Sequence, residues 1–366
     1  MIATRIPFVS LSPSEDAAAV RSAIDRVVAS GRFVLGPEVD AFETEFAAAC
    51  GAPYAVGVGT GTDAIALTLR ALDVGPGDEV ITTPLSAAYT ALAVMMTGAR
   101  PVFADIDPVR LTIDPRQVER AMTPRTRAIV PVHLYGQPAD MTALEPLAAR
   151  HNVAIVEDCC QSHLATSGGR PVGTVGVAGA FSFYPTKNLG ALGDGGAVVT
   201  RDAALAGRLR RLRNGGQADR YRHETFGVNS RLDELQAAIL RVRLPLLPLW
   251  TSKRRALAAA YRKALEGVSV DVPRECDGGH VYHLFVVRSR DQLARGALQQ
   301  RLATRGIETL IHYPVPIPHQ PALAGTTPAE CPVAARVCDE VLSLPLYPSL
   351  SEADVRRVAD AIRDGD

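Results

Sequence analysis

The chain has 366 residues, of which 47% are apolar, and its 39 basic and 39 acidic side chains cancel. This length fits two domains of ordinary size with a sizeable core. The balanced charge gives no reason to expect nucleic acid or an anionic membrane as a partner. The sequence shows no signal peptide, no apolar run long enough to span a membrane and no cysteine pair with metal-ligand spacing. We therefore expect a cytoplasmic protein with reduced thiols and no metal site.

The chain begins with helical patterns and then changes to an alternation of strands and helices. Ser12 and Glu15 have the spacing of a capping box and open a helical pattern that runs to about Ala29. A second helix is predicted at 39–50. The predicted strands that follow are 54–58, 79–83, 101–104, 128–133, 153–157, 180–184 and 197–200. The predicted helices between them are 62–72, 87–97, 115–122 and 141–151. This alternation predicts a mainly parallel sheet with helices on both faces.

A domain boundary is predicted near residue 245. A long helical pattern that starts near Arg231 is interrupted there by Pro245 and Pro248. We therefore predict a large α/β domain at 1–245 and a small α+β domain at 246–366. The small domain is predicted to contain helices at 251–266, 291–305 and 351–363 and a strand at 281–288.

A glycine-rich turn at 57–63 joins the first predicted strand to its helix. Such a turn aims backbone N–H groups and a helix N-terminus at an anion, which suits a phosphate. Its glycine spacing is not that of a dinucleotide fingerprint, and it lacks the Lys-Ser/Thr of a P-loop. An ordinary tight turn is an equally good interpretation of this segment taken alone.

Two acidic residues, Glu157 and Asp158, follow the predicted strand at 153–157, at the edge where sheets of this kind bind ligands. Successive strand residues point to opposite faces, so only one carboxylate is expected to face a ligand. That carboxylate is placed to hold a cationic ring nitrogen. A strand end that meets solvent is the simpler interpretation of the pair alone.

Lys187 follows the strand at 180–184 and precedes apolar and glycine residues. It is one of only three lysines, with Lys253 and Lys263, among the 39 basic residues. A lysine amine partly removed from water has a lowered pKa and can form an imine with an aldehyde, whereas arginine stays protonated. Ser182 is near enough in sequence to offer its hydroxyl to a phosphate. A solvated loop lysine is the ordinary interpretation, but the rarity of lysine here favours chemistry.

The three features together fit one ligand, pyridoxal 5′-phosphate. This cofactor needs an amine for its aldehyde, a carboxylate for its pyridine nitrogen and a cradle for its phosphate. The carboxylate keeps the ring nitrogen protonated, so that the ring accepts electrons, and the freed lysine serves as general base and acid. No other common cofactor needs this combination.

Several segments also match, in sequence and order, the motifs of one known family. The most specific is FSFYPTKNLGALGDGG at 181–196. The others are SGRFVLGPE at 30–38, GTDA at 61–64, PVHLYG at 131–136, EDCCQSH at 157–163, GVNSRLDE at 227–234 and HYP at 312–314. With these segments the chain resembles the DegT/StrS nucleotide-sugar aminotransferases over nearly its whole length. The resemblance implies the fold-type I, aspartate aminotransferase-like α/β fold of pyridoxal phosphate-dependent transferases, with a mainly parallel central sheet and a smaller C-terminal α+β domain.

The resemblance also implies a role for each matching residue. Lys187 is the Schiff-base lysine, Asp158 pairs with the pyridinium nitrogen, and Gln161 lies near the ring hydroxyl. The residues implied to bind the phosphate are Gly61, Thr62, Asp63 and Ser182. Asn229 is expected to reach the phosphate of the neighbouring subunit, which implies a homodimer with shared active sites.

Two positions depart from the family pattern. In the family, an aromatic residue just after the second predicted strand usually stacks on the cofactor ring. A gapless alignment places an alanine of this chain at that position. Tyr89 is the nearest aromatic residue, and a stacking ring and a buried core tyrosine are both open for it. Cys159 and Cys160 stand where the family has small residues, and we interpret them as packing residues.

Charge, loop position and resemblance give a set of candidate substrate-binding residues. They are His163, Arg220, Tyr221, His312 and Tyr313. The loop that carries Arg220 and Tyr221 is placed to meet a nucleotide diphosphate. Hydrogen-bonded structural roles are the alternative for the histidines.

We therefore predict a dimeric aminotransferase that passes an amino group from glutamate to a nucleotide-linked keto-sugar in amino-sugar or natural-product biosynthesis. The segments at 133–136 and 312–314 resemble enzymes that aminate C3 of dTDP-3-keto-6-deoxyhexoses. A keto-cyclitol acceptor of aminoglycoside assembly and a non-catalytic sensor on the same fold are the alternatives. Lys187 argues against the related dehydratases, which carry histidine in its place.

Overall fold

The computed structural model describes residues 5–11, 15–325, 327 and 329–364. Its helices are α1 (Ala17–Ser30), α2 (Pro37–Ala49), α3 (Gly61–Ala71), α4 (Tyr89–Met95), α5 (Pro115–Ala121), α6 (Met141–His151), α7 (Ala203–Leu212), α8 (Glu234–Arg243), α9 (Leu247–Ala264), α10 (Gln292–Thr304), α11 (Pro321–Ala324), α12 (Pro332–Glu340) and α13 (Glu352–Arg363). Ser12 of the predicted capping box lies outside the described residues.

The strands are short and mostly buried. They are β1 (Tyr54–Val58), β2 (Glu79–Thr82), β3 (Arg100–Phe103), β4 (Thr126–Val130), β5 (Ala154–Asp158), β6 (Thr166–Ser167), β7 (Arg170–Pro171), β8 (Ala178–Ser182), β9 (Gly196–Thr200), β10 (Gln217–Asp219), β11 (Arg222–His223), β12 (Phe285–Arg288) and β13 (Val341–Leu344).

Seven strands form the central sheet, in the order β1-β9-β8-β5-β4-β2-β3. The neighbours from β8 to β3 are parallel, while β9 runs antiparallel to both β8 and β1. Both faces are covered. Ala55 and Val56, adjacent on β1, pack into different hydrophobic cores, one of which contains α3 and the other the aromatic side chains of α2. The predicted mainly parallel α/β sheet is confirmed.

A second core lies in the C-terminal part of the chain. The β12–β13 pair packs with α9, α10 and α13, and Tyr261 stacks on Phe285 with ring centroids 4.7 Å apart. Ile6 also packs in this core and pairs with Ile307. Ile6 therefore contacts the core that the C-terminal part of the chain forms.

The predicted boundary at residue 245 falls on a change of helix. α8 ends at Arg243, a single 3-10 turn spans Leu244–Leu246, and α9 begins at Leu247. Pro248 lies in the first turn of α9, where proline is tolerated because no helical acceptor is available for an N–H group. Pro248 therefore starts a helix instead of interrupting one. The division into two domains stays a prediction.

No helix among the described residues has the length and apolar composition needed to cross a bilayer.

Glu157, on β5, is fully buried and faces away from Asp158. The groups that donate to its carboxylate at 2.8–3.0 Å are the backbone N–H groups of Gly173, Val175 and Gly176 and the imidazole Nε2 of His133. The other ring nitrogen of His133 accepts from the N–H of Ala139, so Nε2 carries the proton. Cys159 lies beside this group. Since the described donors to Glu157 are N–H groups, we assign it as a hydrogen-bond centre that fixes β5.

We predict that Glu157→Gln lowers the free energy of unfolding by about 3 kcal/mol, because the carboxamide NH2 then faces N–H groups in a buried site. Urea denaturation measures the change. Glu145→Gln is the matched control, since Glu145 forms an exposed ion pair with Arg170, and we expect at most about 1 kcal/mol there. Equal losses in the two variants would contradict the structural role of Glu157.

Candidate active site

The carboxyl ends of β5 and β8 meet the N-terminus of α3 at one edge of the sheet. A Cβ atom placed on Gly61 would lie 2.7 Å from both the Sγ of Cys160 and the Cβ of Ser182. No real Cβ atom tolerates such contacts, so position 61 requires glycine. Three predicted site segments, far apart in sequence, are thus brought into contact.

The N-terminus of α3 offers an anion cradle. The Thr60 hydroxyl accepts from the N–H of Asp63 at 3.0 Å and caps the helix. Within the described chain, the N–H groups of Gly61 and Thr62 have no acceptor. The carboxylate of Asp63 accepts from the hydroxyl of Ser230 at 2.8 Å. Asp63 therefore shapes this turn through its side chain, while the two free N–H groups and the positive helix end suit a phosphate.

Lys187 follows β8 through a short turn, in which its N–H donates to the carbonyl of Tyr184 at 2.8 Å. The side chain is half-buried and lines a cavity. Burial lowers the pKa of its amine below 10.5, and the nearby Cys160 and Asp158 partly oppose that shift. A larger share of the amine is therefore neutral near pH 8 than in a solvated lysine, and the neutral amine is the nucleophile.

Asp158 is held by two donors at the end of β5. The hydroxyl of Thr90 donates to its Oδ2 at 2.7 Å, and the N–H of Cys160 donates to its Oδ1 at 3.1 Å. The carboxylate is buried, and its charge acts on the amine of Lys187. Sequence reasoning missed Thr90, and its position directly after Tyr89 gave no sign of this contact.

Gln161 links the sheet to the loop that carries His312 and Tyr313, called the C-terminal loop below. Its Oε1 accepts from the N–H of Tyr135 at 2.8 Å, and its Nε2 donates to the hydroxyl of Tyr313 at 2.9 Å. The hydroxyl of Tyr135 donates in turn to the carbonyl of His312. Burial raises the pKa of Tyr313 to about 12, so its hydroxyl stays protonated at neutral pH. Tyr313 and His312 are thus brought to the predicted cofactor residues.

The histidines of the site are neutral at physiological pH. The His312 ring Nδ1 lies 2.9 Å from the hydroxyl of Ser343, and burial together with the charge of Lys187 lowers its pKa to about 4. His283, which sequence reasoning missed, lies 3.3 Å from the Asn188 side chain, and its pKa is lowered well below the usual value by burial first and by Lys187 next.

His163 lies inside the protein, and its contact with substrate stays a prediction. The ring is fully buried between Phe181 and Phe183, and its Nε2 lies 2.8 Å from the carbonyl of Ser182. Burial lowers the pKa of His163 to about 3. The ring therefore packs against the end of β8, and its motif gave no sign of such burial.

Four predicted residues lie on exposed surfaces. Tyr221 is 80% exposed, with the Arg220 guanidinium over its ring at 5.2 Å, on the β10–β11 hairpin. Their described contacts do not include Lys187 or Asp158, so one chain alone does not bring them to the site. Asn229 is also exposed. Tyr89 is 65% exposed, so the alternative of a buried core tyrosine is wrong. Its role as a stacking ring stays a prediction.

The lysine, the carboxylate and the anion cradle at one sheet edge define a fold-type I pyridoxal phosphate-dependent aminotransferase, and the residues present fit that cofactor. Residues 14–363 match the model of the DegT/DnrJ/EryC1/StrS aminotransferase family, and the chain belongs to this family. The predicted family, fold class, enzyme class and cofactor are confirmed.

Individual relatives are similar over their full length. The dTDP-3-amino-3,4,6-trideoxy-alpha-D-glucose transaminase of Streptomyces venezuelae is 50% identical over 98% of this chain and 96% of its own. The erythromycin biosynthesis sensory transduction protein EryC1 of Saccharopolyspora erythraea is 48% identical over 98% of this chain and 99% of its own. The crystal structure of S. venezuelae DesV with a ketimine intermediate superposes with a TM-score of 0.96 at 50% identity, covering 99% of this chain and 98% of that one.

We predict that Gly61→Ala raises the dissociation constant of pyridoxal phosphate at least about tenfold, because the added methyl group displaces Cys160 or Ser182 from the cradle. Titration of the apoprotein, followed by visible absorbance, measures this. Gly207→Ala on α7 is the control, since no atom lies within 4 Å of the added carbon. The cradle assignment is wrong if both variants bind the cofactor like the native protein.

Proposed function

We propose that this aminotransferase moves an amino group from glutamate to the ketone of a nucleotide-linked sugar, with a dTDP-3-keto-6-deoxyhexose as the favoured acceptor. The observation that carries the reaction type is the half-buried side chain of Lys187, whose amine has a lowered pKa, near Asp158 and the Gly61 cradle. The name of the 50% identical Streptomyces venezuelae transaminase supports the acceptor class.

Pyridoxal phosphate, when bound, supplies an aldehyde that takes up the amine and a ring that stabilises negative charge on the substrate carbon. The carboxylate of Asp158, fixed by Thr90 and by the N–H of Cys160, keeps a proton on the ring nitrogen. The N–H groups of Gly61 and Thr62 orient the phosphate. The Nζ of Lys187 takes the proton from the donor's α carbon and later gives one to the carbon that becomes the amine-bearing carbon.

Tyr313 is placed to orient substrate. Its hydroxyl accepts from Gln161 and keeps its own proton for donation, because burial raises its pKa to about 12. The neutral ring of His312 lies next to it, with ring centroids 5.4 Å apart. Both residues reach the site from the C-terminal loop, so movement of this loop would change substrate binding and the access of water together.

A homodimer is part of this proposal. The short helix α4 exposes Tyr89 and Leu92, and Met96, the residue that follows the helix, is also exposed, at 65%, 37% and 56%. Such exposed apolar side chains are typical of an interface. In a dimer, the exposed Arg220 and Asn229 of one subunit would serve the site of its partner, Arg220 at the nucleotide diphosphate and Asn229 at the cofactor phosphate.

The second candidate function is that of a sensor without catalytic activity, which the name of the EryC1 relative favours. The complete set of Lys187, Asp158 and the anion cradle favours catalysis instead. A keto-cyclitol acceptor remains the alternative within catalysis. Six unpaired cysteines support the expected cytoplasmic location.

We predict that glutamate removes the visible absorption band of the loaded enzyme and that a dTDP-linked 3-keto-6-deoxyhexose restores it, with an aminated sugar detected by mass spectrometry. A keto-cyclitol is the competing acceptor, and Lys187→Arg is the inactive control, because arginine offers no neutral amine. A band that glutamate leaves unchanged would favour the sensor. If only the keto-cyclitol restores the visible band, the acceptor is a keto-cyclitol and not a nucleotide-linked sugar.

A further inference from the structure

A cavity of about 570 Å³ lies beside Lys187, on the side of the N-terminal segment and α9. The loop after β8, the first turns of α9 and residues 347–349 line it. The charged side chains that line it are Glu15, Asp16, Lys187, Arg243, Lys253 and Arg254. Neither Asp158 nor Gly61 lines it, so this space is additional to the cofactor site.

Four of the six charged side chains form two ion pairs, which leaves the reactive Lys187 and Arg254 as the remaining cations of the cavity. Arg243 donates to Asp16 at 2.8 Å, and Lys253 lies 3.4 Å from Glu15. Arg254 has no carboxylate partner among the described residues. It is only 5% exposed. A buried guanidinium without a counter-anion is unfavourable, so the cavity is suited to an anionic ligand.

The hydrogen bonds of Arg254 leave part of its guanidinium unused. Nη1 donates to the carbonyls of Tyr282, His283 and Leu346, at 3.3, 3.3 and 2.9 Å. Nε is buried without an acceptor in the described chain, and the described hydrogen bonds of the guanidinium are all donated by Nη1. The Nε–H and Nη2–H groups are therefore available. They lie side by side on the guanidinium and can donate to both oxygens of one carboxylate.

Arg254 and the reactive Lys187 line the same cavity, and their charges act on the same neighbouring side chain. Burial lowers the pKa of Arg254 to about 10, which reflects a cation held away from water without a partner. The charges of both Lys187 and Arg254 contribute to the lowered pKa of His283. An anion on Arg254 would thus lie close to the amine at which the reaction starts.

We propose that Arg254 binds a carboxylate of the amino donor and selects an amino dicarboxylate, an inference that rests on the proposed function. The chemistry favours a carboxylate over the diphosphate of the acceptor. A diphosphate carries more charge than one buried guanidinium offsets, and here it would also face the carboxylates of Glu15 and Asp16. The exposed Arg220 loop suits a diphosphate better.

The single tryptophan of the chain makes a direct binding test possible. Trp250 lines the cavity and donates to Glu15 at 2.7 Å. Glutarate, a dicarboxylate without an amine, is titrated into the loaded enzyme while tryptophan fluorescence is recorded. We expect a saturable change in the native enzyme. In Arg254→Gln the dissociation constant of glutarate should rise at least about tenfold, whereas that of dTDP, measured by calorimetry, should stay within about twofold.

Arg255→Gln is the matched control, because Arg255 is exposed, donates to the carbonyl of His280 at 2.9 Å and does not line the cavity. We expect its glutarate affinity to stay within about twofold. Since Arg254 also anchors three carbonyls, thermal unfolding checks each variant, and Arg254→Lys provides a milder change that keeps the charge but loses the fork. If neither Arg254 variant folds, the titration of the native enzyme with glutarate tests the proposal.

Three results would overturn the assignment. The first is a native enzyme whose tryptophan fluorescence does not change at saturating glutarate. The second is a folded Arg254→Gln variant with native glutarate affinity. The third is an Arg254→Gln variant that loses as much affinity for dTDP as for glutarate. The third result would indicate that the guanidinium of Arg254 binds the nucleotide. A native enzyme whose visible band glutamate does not remove contradicts the proposed function instead, so the two failures are distinguishable.

Discussion

One constraint governs the site: a lysine amine must be kept out of bulk water beside a fixed carboxylate. Two adjacent parallel strands provide this arrangement, because β5 ends in Asp158 and β8 leads through a short turn to Lys187. Burial favours the neutral amine, and Asp158 limits the shift. The alternation along β5 turns Glu157 to the opposite face, where N–H groups hold it. One strand therefore both anchors the sheet and presents the carboxylate for catalysis.

The fold was predictable where local signals and burial agree. β1 (Tyr54–Val58) and α6 (Met141–His151) have their predicted bounds, and Asp140 caps α6 by accepting from the N–H of Ala143. β13 (Val341–Leu344) was not predicted, because it follows α12 directly, without a turn residue, and has no alternating pattern. Its place in the molecule depends on pairing with β12, which is about fifty residues away and leaves no local signal. The packing of Ile6 beside Ile307 was hidden for the same reason.

The site was predictable at positions where a residue type is rare or has few chemical roles. A rare lysine after a strand, an acid at a strand end and a glycine turn suggested a cofactor before any resemblance was considered. Contacts between distant segments could not be predicted this way, such as those of Thr90 with Asp158 and of Gln161 with Tyr313. The position of His163 also depends on tertiary packing, because a motif residue gives no sign of whether its ring faces the site or the core.

The most direct test of this account is covalent trapping at Lys187 across a pH series. The apoprotein is incubated briefly with pyridoxal phosphate at each pH and reduced with borohydride, and the labelled peptide is identified by mass spectrometry. The neutral amine reacts, so labelling should rise as the pH passes the lowered pKa. We predict a label on Lys187 with a midpoint below pH 10.5, the ordinary lysine value. A midpoint at or above that value, or a label on Lys253 or Lys263 in place of Lys187, would contradict the account.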